Sequence, residues 1–118
     1  MVLKTYHITD ALVKSPGYPE TWEQKNVDAN PPLLIGLVHY NHIISEEKLA
    51  KFVNMNETAA KNIMKINLYN YYFVLKTTAG ENVFISGSVP EGKFTVNLAR
   101  PVLYQNKLHI LEFAVWKD

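Results

Sequence analysis

The chain has 118 residues, 47% of them hydrophobic and 12% aromatic, which is enough to fold as one domain, 1–118, around one core. Twelve basic and eleven acidic residues give a net charge of +1, which excludes a global field that would attract nucleic acid or an acidic membrane. The chain has no cysteine, which excludes disulfide scaffolds, thiolate zinc sites and cysteine nucleophiles. No apolar run approaches the roughly 20 residues of a membrane span, and the N-terminal sequence lacks the apolar core of a signal peptide. We therefore expect a cytoplasmic protein with no membrane partner.

The first 32 residues are predicted to contain a strand and a loop. Val2 to Ile8 is rich in β-prone residues, which predicts an N-terminal strand within 1–14, with a helical turn near its end. Residues 15–32 contain four prolines and one glycine among polar residues, a composition typical of an extended surface loop. We expect the loop aromatics Tyr18 and Trp22 to anchor the loop to the core, although they could instead contact a partner.

Residues 33–66 are predicted to be helical. Leu33 to Ile44 follows a Pro-Pro pair and places leucines on one helix face, although the same residues are tolerable in a buried strand. Ser45 is a good N-cap for a helix that ends near Val53, and Asn56 can cap a second helix. Two short helices that meet at a three-residue corner are therefore expected, with a third helix before them.

The second of these helices has a polar face that suits a nucleic-acid groove. Four of its side chains fall within an arc of about 100°: Thr58, Lys61, Asn62 and Lys65. Lysine can contact phosphate or guanine, asparagine an adenine edge, and threonine the backbone or a methyl group. The same face could equally be an ordinary solvated surface, since any surface helix carries lysine and asparagine.

The segment from Leu49 to Ile63 resembles the helix-turn-helix family. It has a small residue inside the first helix, an apolar residue before the turn and apolar anchors in the second helix; Asn54 replaces the usual turn glycine, and Ala60 replaces a β-branched residue. With the hairpin behind it, the resemblance extends to the winged-helix variant over residues 31–87. It implies a three-helix core, a recognition helix in a DNA groove and a wing.

Residues 68–116 change to alternating apolar and polar positions, which predicts antiparallel strands. Thr78 to Glu81 should turn one hairpin, Val89 to Gly92 should precede a strand over 93–99, and Arg100-Pro101 should interrupt it before a last pair of strands. The predicted fold class is therefore α+β, with short helices followed by an antiparallel β-meander that could curl into a partial barrel.

No residues have the spacing of a catalytic or metal site. His39 and His42 could ligate a metal from one helix face, but a third ligand is not evident. His7-Ile8-Thr9 resembles one half-site of the two-histidine phosphoesterases, which need a second copy that this chain lacks. We therefore expect no enzyme activity, no cofactor and no metal.

These observations favour a small regulatory protein that binds DNA or RNA through its helix-turn-helix element. The expected nucleic-acid contacts are Lys51, Thr58, Lys61, Asn62, Lys65 and Lys76. Tyr69, Tyr71 and Tyr72 are expected to form a partner surface or a homodimer contact, although they could stack on bases. The alternative is a protein-interaction or assembly module, for example a viral or phage accessory factor, without nucleic-acid binding or catalysis. A small-ligand pocket inside a curled sheet also stays open.

Overall fold

The computed structural model describes residues 2–91 and 94–117. Within them lie three α-helices: α1 (Val2–Lys14), α2 (Glu46–Val53) and α3 (Glu57–Met64). A short 3-10 helix covers Trp22–Gln24. The strands are β1 (Gly17–Tyr18), β2 (Leu34–Ile35), β3 (Val38–Tyr40), β4 (Ile43–Ile44), β5 (Asn70–Thr77), β6 (Asn82–Gly87), β7 (Phe94–Tyr104) and β8 (Lys107–Lys117). The predicted α+β class is confirmed. The predicted turn over 89–92 ends at Gly92, and the predicted strand over 93–99 begins at Lys93. These two residues lie outside the described residues.

Six strands form one curled, mixed sheet in the order β3-β4-β7-β8-β5-β6, and β1 pairs with β2 in a separate two-stranded sheet. β5 with β6, and β7 with β8, are antiparallel hairpins, and β5 pairs with β8 to join them. β4 lies parallel to β7, with Ile43 opposite Leu103. The curl brings the rings of Phe84 in β6 and Tyr104 in β7 to 6.0 Å, across two intervening strands. The sheet is therefore a half-barrel with a concave inner face.

The strand predicted within 1–14 is wrong, because residues 2–14 form helix α1. The buried residues recur at helical spacing: Thr5, Ile8, Thr9, Leu12 and Val13. α1 packs on the inner face of β7 and β8. Burial of one helical face outweighs the β propensity of the individual residues, because propensity differences are small compared with the free energy of burying several side chains.

The helix predicted over 33–44 is also wrong, because this segment forms β2, β3 and β4. Gly36 explains much of this path. A Cβ at Gly36 would lie 2.0 Å from the carbonyl oxygen of Ser15. Only glycine at position 36 therefore lets the backbone approach residues 15–17 this closely. β1 and β2 pair beside this contact, with Gly17 opposite Ile35. Residues 33–66 therefore supply two helices, not the three-helix core that the winged-helix resemblance implies.

The two helices predicted after Ser45 are confirmed. The Ser45 hydroxyl accepts a hydrogen bond from the N–H of Lys48, and the Asn56 side chain accepts from the first N–H groups of α3, as N-caps do. Phe52 of α2 is fully buried and meets Phe73 of β5 edge to face, with ring centroids 5.1 Å apart. α2 therefore closes the inner face of the sheet beside the β5-β6 hairpin, whose turn at 78–81 is also confirmed.

The strand break predicted at Arg100-Pro101 is wrong, since β7 continues to Tyr104. Pro101 lies opposite Ile110 of β8. Two residues further on, the N–H of Leu103 points away from β8 and donates to His42 O at 2.8 Å. Because alternate residues of a strand point their N–H groups to the same side, proline at 101 removes no hydrogen bond between β7 and β8.

One aromatic residue of the loop over 15–32 is buried in the core. Trp22 is fully buried, and its Nε1 donates to the carbonyl oxygens of Pro16 at 3.1 Å and Gly36 at 3.2 Å. Tyr18, by contrast, is 62% exposed. The expectation that both aromatics anchor the loop is confirmed for Trp22 and wrong for Tyr18.

A buried ion pair fastens the same loop to α2. Lys48 Nζ donates to Glu23 Oε1 at 2.8 Å, to Pro16 O at 2.9 Å and to Glu20 O at 2.5 Å. The side chains of Lys48 and Glu23 are only 1% and 3% exposed. The three protons of the ammonium group thus meet three acceptors from the loop, so the buried charge is fully satisfied.

This contact sets the acidity of Glu23. Burial alone would raise the pKa of Glu23, but the hydrogen bond from Lys48, a backbone hydrogen bond and the Lys48 charge together hold the pKa below the ordinary 4.5. A carboxyl group whose pKa is lower in the folded than in the unfolded state stabilises the fold above the unfolded pKa. That stabilisation is lost as the pH falls through the folded pKa.

Replacing Lys48 should destabilise the whole fold. Lys48→Met leaves the Glu23 carboxylate buried without its cation, so we expect the free energy of unfolding to fall by about 3 kcal/mol or more. Urea titration followed by tryptophan fluorescence measures it. The control is Lys51→Met, at an exposed lysine of the same helix, which should change stability by no more than about 0.5 kcal/mol. Equal losses in the two variants would contradict this interpretation.

Stability should also depend on pH through Glu23. Glu23→Gln should reduce the free energy of unfolding most near neutral pH, and its difference from the wild type should shrink as the pH falls below the ordinary 4.5 toward the lowered pKa of folded Glu23. Thermal unfolding across this range measures the difference. The exposed control Glu81→Gln should track the wild type at every pH. A difference between Glu23→Gln and the wild type that grows toward acid pH would reverse the assigned sign.

Candidate functional site

Three surface clefts adjoin at Lys65, the residue that ends α3. The first, of about 200 Å³, lies between α1, β2 and α3; the second, of about 400 Å³, between residues 27–33 and α3; the third, of about 310 Å³, between α3 and residues 66–69. We call them together the Lys65 groove. Its lining includes Lys4, His7, Ile8, Ala11, Asp28, Leu33, Leu34, Asn62, Ile63, Met64, Lys65 and Leu68.

The backbone hydrogen bonds that end α3 fix the position of Lys65. It adopts the left-handed conformation, with φ 60° and ψ 43°, and its N–H donates to Asn62 O at 3.2 Å. The next N–H, of Ile66, returns to Lys61 O at 3.0 Å, and the Ile66 side chain is buried. These bonds satisfy the last carbonyl groups of the helix and turn the chain sharply into the core, leaving the Lys65 side chain exposed.

Large apolar side chains around Lys65 are exposed to solvent. Leu33 is 73% exposed, Leu34 41% and Leu68 84%. Leu33 cannot turn inward freely, because its N–H donates to Tyr18 O at 2.8 Å and the strand that follows is paired with β1. Grouped exposed leucines at the rim of a concave surface are typical of a site that a partner covers.

The charge of the groove is mainly positive. Lys4 lies on α1 at one side, Lys65 lies where the clefts meet, and Asp28 lines the second cleft. Across residues 2–91 and 94–117, neither Lys4 nor Lys65 forms an ion pair. A ligand that carries carboxylates beside apolar side chains would therefore find complementary partners here.

The residues expected to bind nucleic acid lie only partly together. Thr58, Asn62 and Lys65 are exposed along α3. Lys61 is half-buried, and its Nζ donates to Asn70 Oδ1 at 3.1 Å.

The other two expected contacts lie elsewhere. Lys51 is exposed on α2, in a separate cleft beside Met55 and Asn56. Lys76 lies on the outer face of the sheet, where it forms an ion pair with Glu112. The expected wing therefore offers no unpaired lysine at this position.

The expected tyrosine surface is wrong for Tyr71, which is 1% exposed and hydrogen-bonded to the hydroxyl of Ser86 at 3.2 Å. Burial raises the pKa of Tyr71, the Ser86 hydrogen bond lowers it and the charge of Glu57 raises it, with a net upward shift. Tyr69 and Tyr72 are half-buried. Lys117 Nζ lies 5.8 Å from the centre of the Tyr69 ring. Tyr71 is thus a core residue.

Other groups considered from sequence do not assemble into a chemical site. His39 and His42 lie on and beside β3 and not on one helix face. In the described part of the chain, no three histidine, aspartate or glutamate side chains are grouped closely enough to hold a metal ion. No described helix combines the length and apolar character needed to span a membrane.

Sequence reasoning missed most of the groove. Lys4 and His7 were expected in a strand, and Leu33 and Leu34 in a buried helix face. The sequence contains a signal for the positions of Lys4 and His7. Lys4, His7, Ile8 and Ala11 recur at helical spacing and share one side of α1. The exposure of Leu33 and Leu34 has no comparable local signal, since it depends on the pairing of β2 with the distant β1.

Comparison with known proteins finds no match: no family model, no curated protein and no solved structure is similar to this chain.

The left-handed conformation of Lys65 can be tested by stability. Lys65→Gly should raise the free energy of unfolding by about 1 kcal/mol, because glycine adopts this conformation without steric cost. The matched change Ala59→Gly, inside the same helix, should lower it by about 1 kcal/mol. Urea titration of both variants provides the measurement, and a loss of stability in Lys65→Gly would contradict the assigned backbone conformation.

Proposed function

We propose that this chain is a protein-interaction module, and that its Lys65 groove binds a partner segment in which apolar side chains are flanked by carboxylates. The observation that carries the proposal is the grouping of exposed Leu33, Leu34 and Leu68 around unpaired Lys65.

The apolar part of the groove would supply most of the affinity. Fully burying one leucine contributes about 1.5–3 kcal/mol of favourable free energy. Covering the exposed areas of Leu33 and Leu68 can therefore bind a short segment, even after the entropy cost of ordering that segment is subtracted. Ile63 and Met64 line the first cleft together with Leu33 and Leu34. An amphipathic helix, with apolar residues three and four positions apart, matches such a groove.

The charged part of the groove would set orientation and specificity. Lys4 and Lys65 lie on the rim, in solvent, where each ion pair contributes only about 0–1 kcal/mol. Complementary carboxylates would nevertheless accelerate association and fix the direction of the bound segment, while a basic segment would be rejected. Asp28 places a negative charge in the second cleft, so the two ends of the groove differ in charge.

Binding of DNA or RNA is the competing proposal. Thr58, Asn62 and Lys65 on one helix favour it. The exposed leucines do not, since phosphate contacts call for cations and hydroxyl or amide groups. The ion pair of Lys76 with Glu112 and the net charge of +1 also weaken it.

A designed peptide tests the proposal directly. The probe is a helical peptide of about 16 residues with leucine at positions i, i+3, i+4 and i+7 and flanking glutamates; a second peptide has lysine at the glutamate positions. We expect the acidic peptide to shift the ¹H–¹⁵N resonances of Leu33, Lys65 and Leu68, and the basic peptide to bind at least about fivefold more weakly.

Three variants provide the controls. Leu33→Ser should weaken binding of the acidic peptide by about five- to tenfold, and Lys65→Gly by no more than about fivefold, because its ion pair lies in solvent. Leu108→Ser removes a leucine that is 54% exposed on the outer face of the sheet and should leave binding unchanged. Unshifted groove resonances at millimolar peptide would contradict the proposal. Tighter, salt-dependent binding of a mixed-sequence DNA duplex would replace it with the nucleic-acid reading.

A further inference from the structure

The second edge of β7 has backbone groups without a strand partner. β8 pairs with β7 along its full length, but on the other side β4 meets β7 at Leu103, and no other described strand pairs there along 94–101. Leu103 uses its outward N–H for His42 O at 2.8 Å. By the alternation of an antiparallel ladder, the N–H and C=O groups of Thr95, Asn97 and Ala99 point the same way, away from β8.

We propose that this edge pairs antiparallel with the same edge of a second copy of the chain, with the two-fold axis at Asn97. In this register Asn97 faces Asn97 of the second copy, and Thr95 faces Ala99. Each is a hydrogen-bonded pair, because only odd-numbered residues point their backbone groups outward, so the two edges would exchange six N–H···O bonds.

The side chains of β7 are self-complementary in this register. On the inner face, half-buried Val96 would lie opposite Leu98 of the second copy, and Phe94, which is 63% exposed, opposite Arg100. The Arg100 guanidinium already lies 5.6 Å from the centre of the Tyr6 ring. The ring of Phe94 from the second copy would reach its other face, so that one cation lies between two aromatic rings.

Neighbouring residues also favour a second copy of the chain as the partner of this edge. Val2, one helical turn before Tyr6 on the same side of α1, is 67% exposed and would be covered in the pair. Moving the register by two residues would place Pro101 of each copy opposite Thr95 of the other, where two N–H donors are missing because proline has no N–H. The β6 edge is shorter and is distorted by a bulge at Val83, because Phe84 and Asn82 pair with the successive residues Leu75 and Lys76 of β5. This distortion disfavours edge-to-edge pairing there.

Sedimentation velocity between about 5 and 500 µM protein tests the association. The wild type should shift from monomer to dimer as concentration rises. Asn97→Pro removes an outward N–H without touching the ladder to β8, as Pro101 already does, and should weaken the dimer by about tenfold or more. Ile85→Pro, at a regular position outside the bulge, removes an outward N–H on the β6 edge and should dimerise like the wild type. A wild type that stays monomeric, or an Asn97→Pro variant that dimerises equally well, overturns the proposal.

Disulfide trapping tests the register and does not depend on a proline variant that could misfold. The chain has no cysteine, so Asn97→Cys introduces one thiol. Hydrogen-bonded antiparallel partners lie about 5.5 Å apart between Cα atoms, which a disulfide can bridge. Asn97→Cys should therefore form a covalent dimer under mild oxidation. Thr95→Cys should not, because its two copies would be about 14 Å apart. Equal trapping at both positions, or trapping at 95 alone, would overturn the register. This edge does not include Lys65, so the outcome is independent of the peptide-binding test.

Discussion

The buried contact of Lys48 with Glu23 is the constraint on which the arrangement of this chain depends. It joins α2 to a loop that has few other means of staying folded, since residues 15–32 are rich in proline and polar side chains. An unpaired charge at either position would be costly to bury, so the loop closes with both partners present or not at all. Trp22 packs beside the pair, with Lys48 Nζ 5.8 Å from its ring, and adds apolar burial to the charge contact.

The same constraint shapes the Lys65 groove. With the loop held in place, Gly17 meets Ile35, β1 pairs with β2, and the chain leaves that pair with Leu33 and Leu34 facing outward beside α3. Residues 27–33 then form one wall of the second cleft. The groove is thus built from three segments far apart in sequence, and the loop that determines its shape contributes few of its exposed side chains.

The parts of the fold that could be predicted from sequence are those determined by local chemistry. Ser45 and Asn56 cap their helices by hydrogen bonds within four residues, and the strands of 68–116 show their alternation directly. The segments that were mispredicted depend on distant partners. Residues 33–44 are extended because Gly36 approaches Ser15, and Tyr71 is buried because helix α2 covers its face of the sheet. Of the groove, Asn62 and Lys65 could be anticipated from their own helix, and Lys4 and His7 from the helical spacing around them. The exposure of Leu33 and Leu34 could not, since it depends on the distant β1.

The most direct test of the central claim is the exchange behaviour of the Lys48 ammonium group itself. In a ¹⁵N-lysine-labelled sample near pH 6, we expect one ammonium resonance whose protons exchange slowly with water, because all three are donated to buried oxygens, while the exposed lysines exchange too fast to be seen. A sample in which every ammonium group exchanges as rapidly as an exposed lysine would show that the loop is not held by this contact, and would contradict the account.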